Sequence, residues 1–132
     1  MEFVVKKGRE YMHDDEVVEL IHTAYWAKER PAEVMKKALD HSVCFGAFLT
    51  ETDEQVGLVR VITDYATSYY ICDVIVREDC RGLGIGKALM DAVDSAEEFA
   101  GQRGLLITET AHGLYAKYGF EPMENRFMTK KR

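Results

Sequence analysis

Two hydrophobic periods alternate along the chain, and each change of period marks an element. Val43 to Leu49 is a continuous apolar run and Val56 to Thr63 a second one, joined by the polar stretch Thr50 to Gln55, the pattern of an antiparallel hairpin. Tyr69 to Arg77, rich in aromatic and β-branched residues, predicts a third long strand, and Phe3 to Lys6 a short first one. Between the first strand and the hairpin the period becomes helical. Val17, Leu20, Ile21 and Ala24 follow the acidic start Asp14-Asp15-Glu16, which suits the positive end of a helix dipole. Pro31, a favoured first-turn residue, opens a second helix through Val34, Met35, Ala38 and Leu39.

After Gly84 a longer helix is predicted, because Ile85, Ala88, Leu89, Ala92, Val93, Ala96 and Phe99 keep an i, i+3, i+4 register for about four turns. Gly101 to Gly104 ends it. Leu105 to Thr108 reads as a short buried strand, Leu114 to Tyr118 as a short helix closed by Gly119, and Phe120 to Met128 as a terminal pair of strand segments around Pro122. The sum is an α+β fold in three α/β/α layers, with a mixed, largely antiparallel sheet of roughly six to seven strands and about four helices. Residues 1–132 read as a single domain.

Composition narrows the function. With 17 Lys+Arg against 23 Asp+Glu the formal net charge is −6, which disfavours a nucleic-acid partner. No apolar run approaches the roughly 18 to 20 residues that span a bilayer, and Met1 to Arg9 alternates in charge, so a cytoplasmic protein without a membrane partner is expected. The 3 cysteines form no Cys-x-x-Cys pair, so neither a disulfide framework nor a metal site is expected. Cys44 and Cys72 sit in apolar runs as small hydrophobes, whereas Cys80 lies in a polar loop, where a thiol can be reactive.

Of the 10 glycines, Gly82, Gly84 and Gly86 fall together in Arg81-Gly82-Leu83-Gly84-Ile85-Gly86-Lys87, between a strand and the long helix. Such a turn brings backbone N–H groups and a helix dipole to a phosphate. Two familiar phosphate motifs fail here. A dinucleotide fingerprint counted from Gly82 requires glycine where Lys87 stands, and counted from Gly84 it requires glycine where Leu89 stands. A P-loop ending at Gly86-Lys87 requires glycine in place of Arg81 and Ser or Thr in place of Ala88.

Arg81-x-x-Gly84-x-Gly86, preceded by a strand ending in Val76, resembles the (Gln/Arg)-x-x-Gly-x-(Gly/Ala) signature of the GNAT superfamily of N-acetyltransferases. Leu114-Tyr115-Ala116-Lys117-Tyr118-Gly119-Phe120 is similar to a second motif of that family, (Phe/Leu)-Tyr-x-Lys-x-Gly-Phe, and the order of elements fits as well. The close match covers Tyr69 to Phe120, and Arg77-Glu78-Asp79 replaces the proline that many relatives place after the strand's last valine. The resemblance implies a GNAT-like acyl-CoA N-acyltransferase fold that uses acetyl-CoA as cosubstrate. It implies that main-chain groups of Val74, Ile75 and Val76 pair with the pantetheine arm, and that the amides of Gly82, Leu83, Gly84, Ile85, Gly86 and Lys87 take the pyrophosphate, with Arg81 shaping the turn.

The implied chemistry is attack of a primary amine of a small-molecule or peptide acceptor on the thioester, through a tetrahedral oxyanion that the Val76 N–H stabilises. Tyr115 occupies the position of the general acid for the departing thiolate. The amine must be neutral, which costs a lysine-like amine about 4 kcal/mol at neutral pH and an α-amine only about 1. The candidates for a base are Asp73, alternating with Ile71 and Ile75 on one strand face, Glu109 at the end of the next strand, and His112 before the Tyr115 helix. Tyr25, Trp26 and Arg30, between the first two helices, are the acceptor-binding candidates, able to hold an ammonium by cation–π contact or a carboxylate by the guanidinium. An acyl-CoA-binding regulatory module with little turnover remains the alternative, and a homodimer is common among similar proteins.

Overall fold

A computed structural model describes residues 1–131. Five strands form one sheet: β1 (Phe3–Lys7), β2 (Val43–Leu49), β3 (Gln55–Thr63), β4 (Ser68–Val76) and β5 (Arg103–Leu106). They lie in the order β1-β2-β3-β4-β5, the first four antiparallel to their neighbours and β5 parallel to β4. Every residue of β2 is buried, because both faces of this central strand are covered. On one face Phe45 and Ala47 join Val59, Val61 and Ile71 beneath the helix α3 (Ile85–Asp94), which contributes Ile85, Leu89, Met90 and Val93. On the other face Cys44, Phe48, Leu58 and Ile75 pack under α1 (Asp14–His22) and α2 (Ala32–Asp40), through Val17, Leu20, Ile21, Met35 and Leu39. The three α/β/α layers of the hydrophobic pattern are therefore present.

Several predicted elements differ, and β5 comes two residues earlier than its predicted bounds Leu105 to Thr108. The helical register running to Phe99 breaks after Asp94: the Ser95 hydroxyl donates back to the Asp91 carbonyl at 2.9 Å, competing with the helix ladder, and a separate turn Glu97–Phe99 carries Phe99 into the core. There the Phe99 ring stacks on Tyr69 at 4.8 Å between centroids. The terminal pair of strand segments between Phe120 and Met128 does not form, which leaves five strands in place of six to seven. Pro122 has no N–H for a ladder, Asn125 turns the chain at φ 60°, and Met123, Phe127 and Met128 remain exposed. The short helix comes slightly earlier than predicted, as α4 (His112–Ala116).

Among the described residues no helix is long and apolar enough to cross a membrane. Cys80 is buried beneath α3 in the turn Glu78–Cys80, and burial raises its thiol pKa, so the reactive reading of this cysteine does not hold.

The doubly covered β2 predicts an asymmetry in stability. Truncating the buried Phe45 to alanine should cost about 3–5 kcal/mol in urea denaturation, and truncating the exposed Val34 less than about 0.5. Equal costs would contradict this layering.

Candidate active site

β4 and β5 part company halfway along. β5 pairs only with Ser68 to Ile71, and from Cys72 onward the outer edge of β4 has no strand beside it. The parting coincides with a β-bulge: Arg60 of β3 faces Asp73 while Val61 faces Ile71, so Cys72 is an extra residue on β4. Beyond the bulge the hydrogen-bond phase follows from the Arg77 N–H, which donates to the Val56 carbonyl at 2.8 Å. Antiparallel ladders alternate, so Ile75 bonds inward to Leu58, whereas Val74 and Val76 direct their N–H and C=O groups into the split. Of the three strand residues expected to meet the pantetheine arm, Val74 and Val76 therefore present N–H groups to the split and Ile75 does not.

The glycine turn closes one end of this split. Gly82 and Gly84 both take φ 85°, a left-handed conformation costly for other residues, and a Cβ on either would meet no heavy atom within 4 Å. The first amide of α3 with a helical acceptor is that of Ala88, bonded to the Gly84 carbonyl at 3.0 Å. The N–H groups of Ile85, Gly86 and Lys87 are thus left for a ligand at the positive end of the helix. Arg81 donates from Nε to the Val76 carbonyl at 3.4 Å and so ties the turn to the strand end, while Leu83 stays exposed. The Lys87 ammonium is held by Asp91 at 2.8 Å, and Tyr118 donates to the same carboxylate at 2.7 Å; both hold its pKa below the usual carboxylate range.

Tyr115 lies in α4 against Phe120, with ring centroids 6.3 Å apart, and burial raises its pKa. Its ring lines a cleft of about 750 Å³ that runs along β5 and the segment after Phe120, with Tyr70 and His112 also on its wall, and burial is the sole cause of the shift in its hydroxyl. His112 is exposed at the first turn of α4. β5 stops at Leu106, so Glu109 lies in the following loop, where its carboxylate accepts the Tyr25 hydroxyl at 3.2 Å.

Asp73 does not share a face with Ile71. The bulge turns it, with Ile75, toward α1 and α2, while Ile71 packs under α3. There the buried carboxylate accepts Arg60 Nε at 2.8 Å, Arg30 Nη1 at 2.9 Å and Trp26 Nε1 at 3.5 Å. Burial pushes its pKa up, but the Arg60 charge and the guanidinium hydrogen bonds outweigh this and hold it below the usual carboxylate range. An ionised carboxylate so committed is a poor proton acceptor, and Asp73 leaves the set of candidate bases. Its role is to moor the segment between α1 and α2, so that Trp26 and Arg30 lie at Asp73 and Tyr25 at Glu109. Sequence reasoning overlooks Arg60, although its place beside the buried Leu58 and Val59, in a strand otherwise apolar up to Ile62, is the signal that could reveal it.

The family model for the GNAT acetyltransferase domain matches residues 40–122. The chain belongs to the GNAT acetyltransferase family. A GNAT-family protein of Xanthomonas campestris pv. campestris is 38% identical and superposes with a TM-score of 0.90 over 100% of this chain and 94% of its own. The uncharacterized N-acetyltransferase ycf52 of Porphyra purpurea is 33% identical over 78 residues, 57% of this chain and 44% of that protein. The aminoglycoside 2'-N-acetyltransferase of Mycolicibacterium fortuitum is 43% identical over 56 residues, 42% of this chain and 29% of that enzyme. The chain spans half or less of the length of the curated relatives it matches. In this GNAT chain the residues of the tyrosine motif meet the helix that follows the glycine signature, through the Tyr118 hydroxyl at Asp91 and at the Lys87 carbonyl.

Removing the Asp73 carboxylate leaves two guanidinium groups facing each other. Asp73→Asn should therefore destabilise the fold by about 3–5 kcal/mol at pH 7. Because the folded pKa is depressed, the carboxylate's contribution is complete above its unfolded value near 4 and fades as pH falls through the folded value. Denaturation of wild type and variant should accordingly converge in acid; a gap that persists unchanged there would refute the ion-pair account.

Proposed function

We propose that this GNAT protein transfers the acetyl group of acetyl-CoA to a primary amine of a small-molecule acceptor. The observation that carries the reading is the split itself: two outward N–H groups stand on the open edge of β4, with the glycine turn and its unbonded helix amides at the end of that strand. In this reading the free amides at the start of α3 and the Lys87 side chain take the phosphates, and Val74 and Val76 hold the amide-containing arm as a neighbouring strand would. The acetyl-CoA supplies the activated thioester.

At the reacting carbonyl, an outward N–H such as that of Val76 stabilises the developing oxyanion, a contribution of about 3–4 kcal/mol per donor in comparable sites. Tyr115 is the hydrogen-bond donor to the leaving sulfur. Its raised pKa keeps the hydroxyl protonated through neutral pH, which suits a donor and disqualifies it as a base. One proton leaves the amine and one reaches the sulfur, so the reaction needs no net proton from solvent. Glu109 and His112 are the groups able to accept the amine's proton, Glu109 from beside Tyr25 and His112 from the rim of the Tyr115 cleft.

Two substitutions separate binding from turnover. Gly84→Val, which forces a branched residue into φ 85°, should lower CoA affinity by roughly tenfold or more in calorimetry. Tyr115→Phe should leave CoA affinity within about twofold while cutting thiol release by roughly a hundredfold. The acceptor panel spans polyamines, amino acids, arylamines, peptide N-termini and aminoglycosides, the last because of the M. fortuitum relative. CoA binding without amine-dependent thiol release anywhere in the panel would favour a binding module over an enzyme.

A further inference from the structure

Five contacts run in series along the acceptor side of the strand split. The Glu109 carboxylate accepts the Tyr25 hydroxyl at 3.2 Å; Tyr25 meets Trp26 edge to face at 5.3 Å; Trp26 Nε1 points to Asp73 at 3.5 Å; and Asp73 takes both Arg30 and Arg60. One end of this series is an exposed carboxylate and the other a pair of guanidinium groups, with two aromatic rings between.

The guanidinium end carries a charge imbalance. Arg30 Nη1 and Arg60 Nε donate to the same oxygen, Oδ2 of Asp73, and among the described residues neither arginine has a second carboxylate within 4.0 Å. Two positive charges thus face one negative charge, with the arginine side chains only 16% and 11% exposed. Arg60 Nη1 donates to the Ser42 hydroxyl, and Arg30 Nη1 also contacts the Met35 sulfur, but neither contact brings charge. The Arg9, Asp14 and Asp40 group has the opposite excess, but both carboxylates are held by Arg9 and Asp40 is 58% exposed. Arg30 lines a pocket of about 530 Å³ with Tyr25, Trp26 and Val34; Lys28 and Glu29 on the same pocket cancel each other. Arg30, the member of this mostly buried pair that reaches the pocket, keeps planar N–H donors that suit a carboxylate, which a guanidinium grips through two parallel bonds.

We infer that the acceptor site is dipolar and takes an amine that also bears a carboxylate, an ω-amino acid whose amine lies toward Glu109 and whose carboxylate lies at Arg30. The exposed face of Trp26 supports the methylene spacer between them. This rests on the acetyl-transfer reading for the amine end but not for the carboxylate end. It also separates this chain's acceptor from polycationic amines, which the guanidinium pair repels.

The test compares glycine, β-alanine, γ-aminobutyrate and ε-aminocaproate with methyl-, ethyl-, propyl- and pentylamine, their decarboxylated counterparts, on the protein saturated with CoA. Calorimetry reads acceptor binding, and thiol release from acetyl-CoA reads turnover. At least one amino acid should bind roughly tenfold or more tightly than its amine partner. In Arg30→Gln that ratio should collapse toward unity while CoA affinity is kept, which also shows that the variant is folded. If Arg30→Gln does not fold, Arg30→Lys keeps the charge, loses the fork and should show a reduced ratio. Amines that bind as tightly as the acids across the series would overturn the inference, as would an unchanged ratio in the Arg30 variants. A carboxylate preference without thiol release keeps the dipolar site and removes the acetyl-transfer reading; thiol release without the preference does the reverse.

Discussion

One surplus residue in a strand governs this molecule. Cys72 has no partner on β3, and the bulge it creates coincides with the point at which β4 leaves β5. The same shift reverses which face the following residues occupy, so Asp73 meets Arg60 under α1 instead of entering the core under α3. A single irregularity in the ladder therefore sets both which N–H groups of β4 face the edge that β5 leaves open and where the ion cluster that holds the segment between α1 and α2 forms.

The rest of the fold keeps that irregularity in place. β2, covered on both faces, and β3 beside it form a rigid centre against which β4 is paired along its inner edge. α3 presses on this centre through Ile85, Leu89 and Val93, which fixes where its N-terminus and the glycine turn stand. The far side is tied by the Tyr118 hydroxyl, which reaches from the end of α4 to Asp91 and the Lys87 carbonyl on α3. The short helix bearing Tyr115 is thereby clamped to the helix whose first N–H groups are left unbonded.

Much of this could be read from residues. β2 falls on the predicted bounds, because a long apolar run between turn residues admits few alternatives, and the glycine motif lies, as expected, between a strand and a helix. The bulge could not be read. Alternation by twos assumes no extra residue, which is why Asp73 is grouped with Ile71 in the sequence and separated from it in space. The ion cluster escapes for the same reason, since Arg60 opposes Asp73 only in the shifted register. The terminal segment after Phe120 alternates as strands do, but the propensity of a segment for extended backbone does not supply an edge for it to bond. Cys80 looks exposed among charged neighbours, yet a turn of 3 residues rotates it inward.

The free amides of Val74 and Val76 are two residues apart on one strand, and so stand at an interval of about 6.7 Å. That interval is a ruler. A ligand lying along this edge is measured by the repeat of its own amide groups before any side chain is consulted, much as an incoming polypeptide would be. Under the proposed function, selection for the cosubstrate is in this sense written in backbone spacing, which no substitution of a valine side chain erases without breaking the strand.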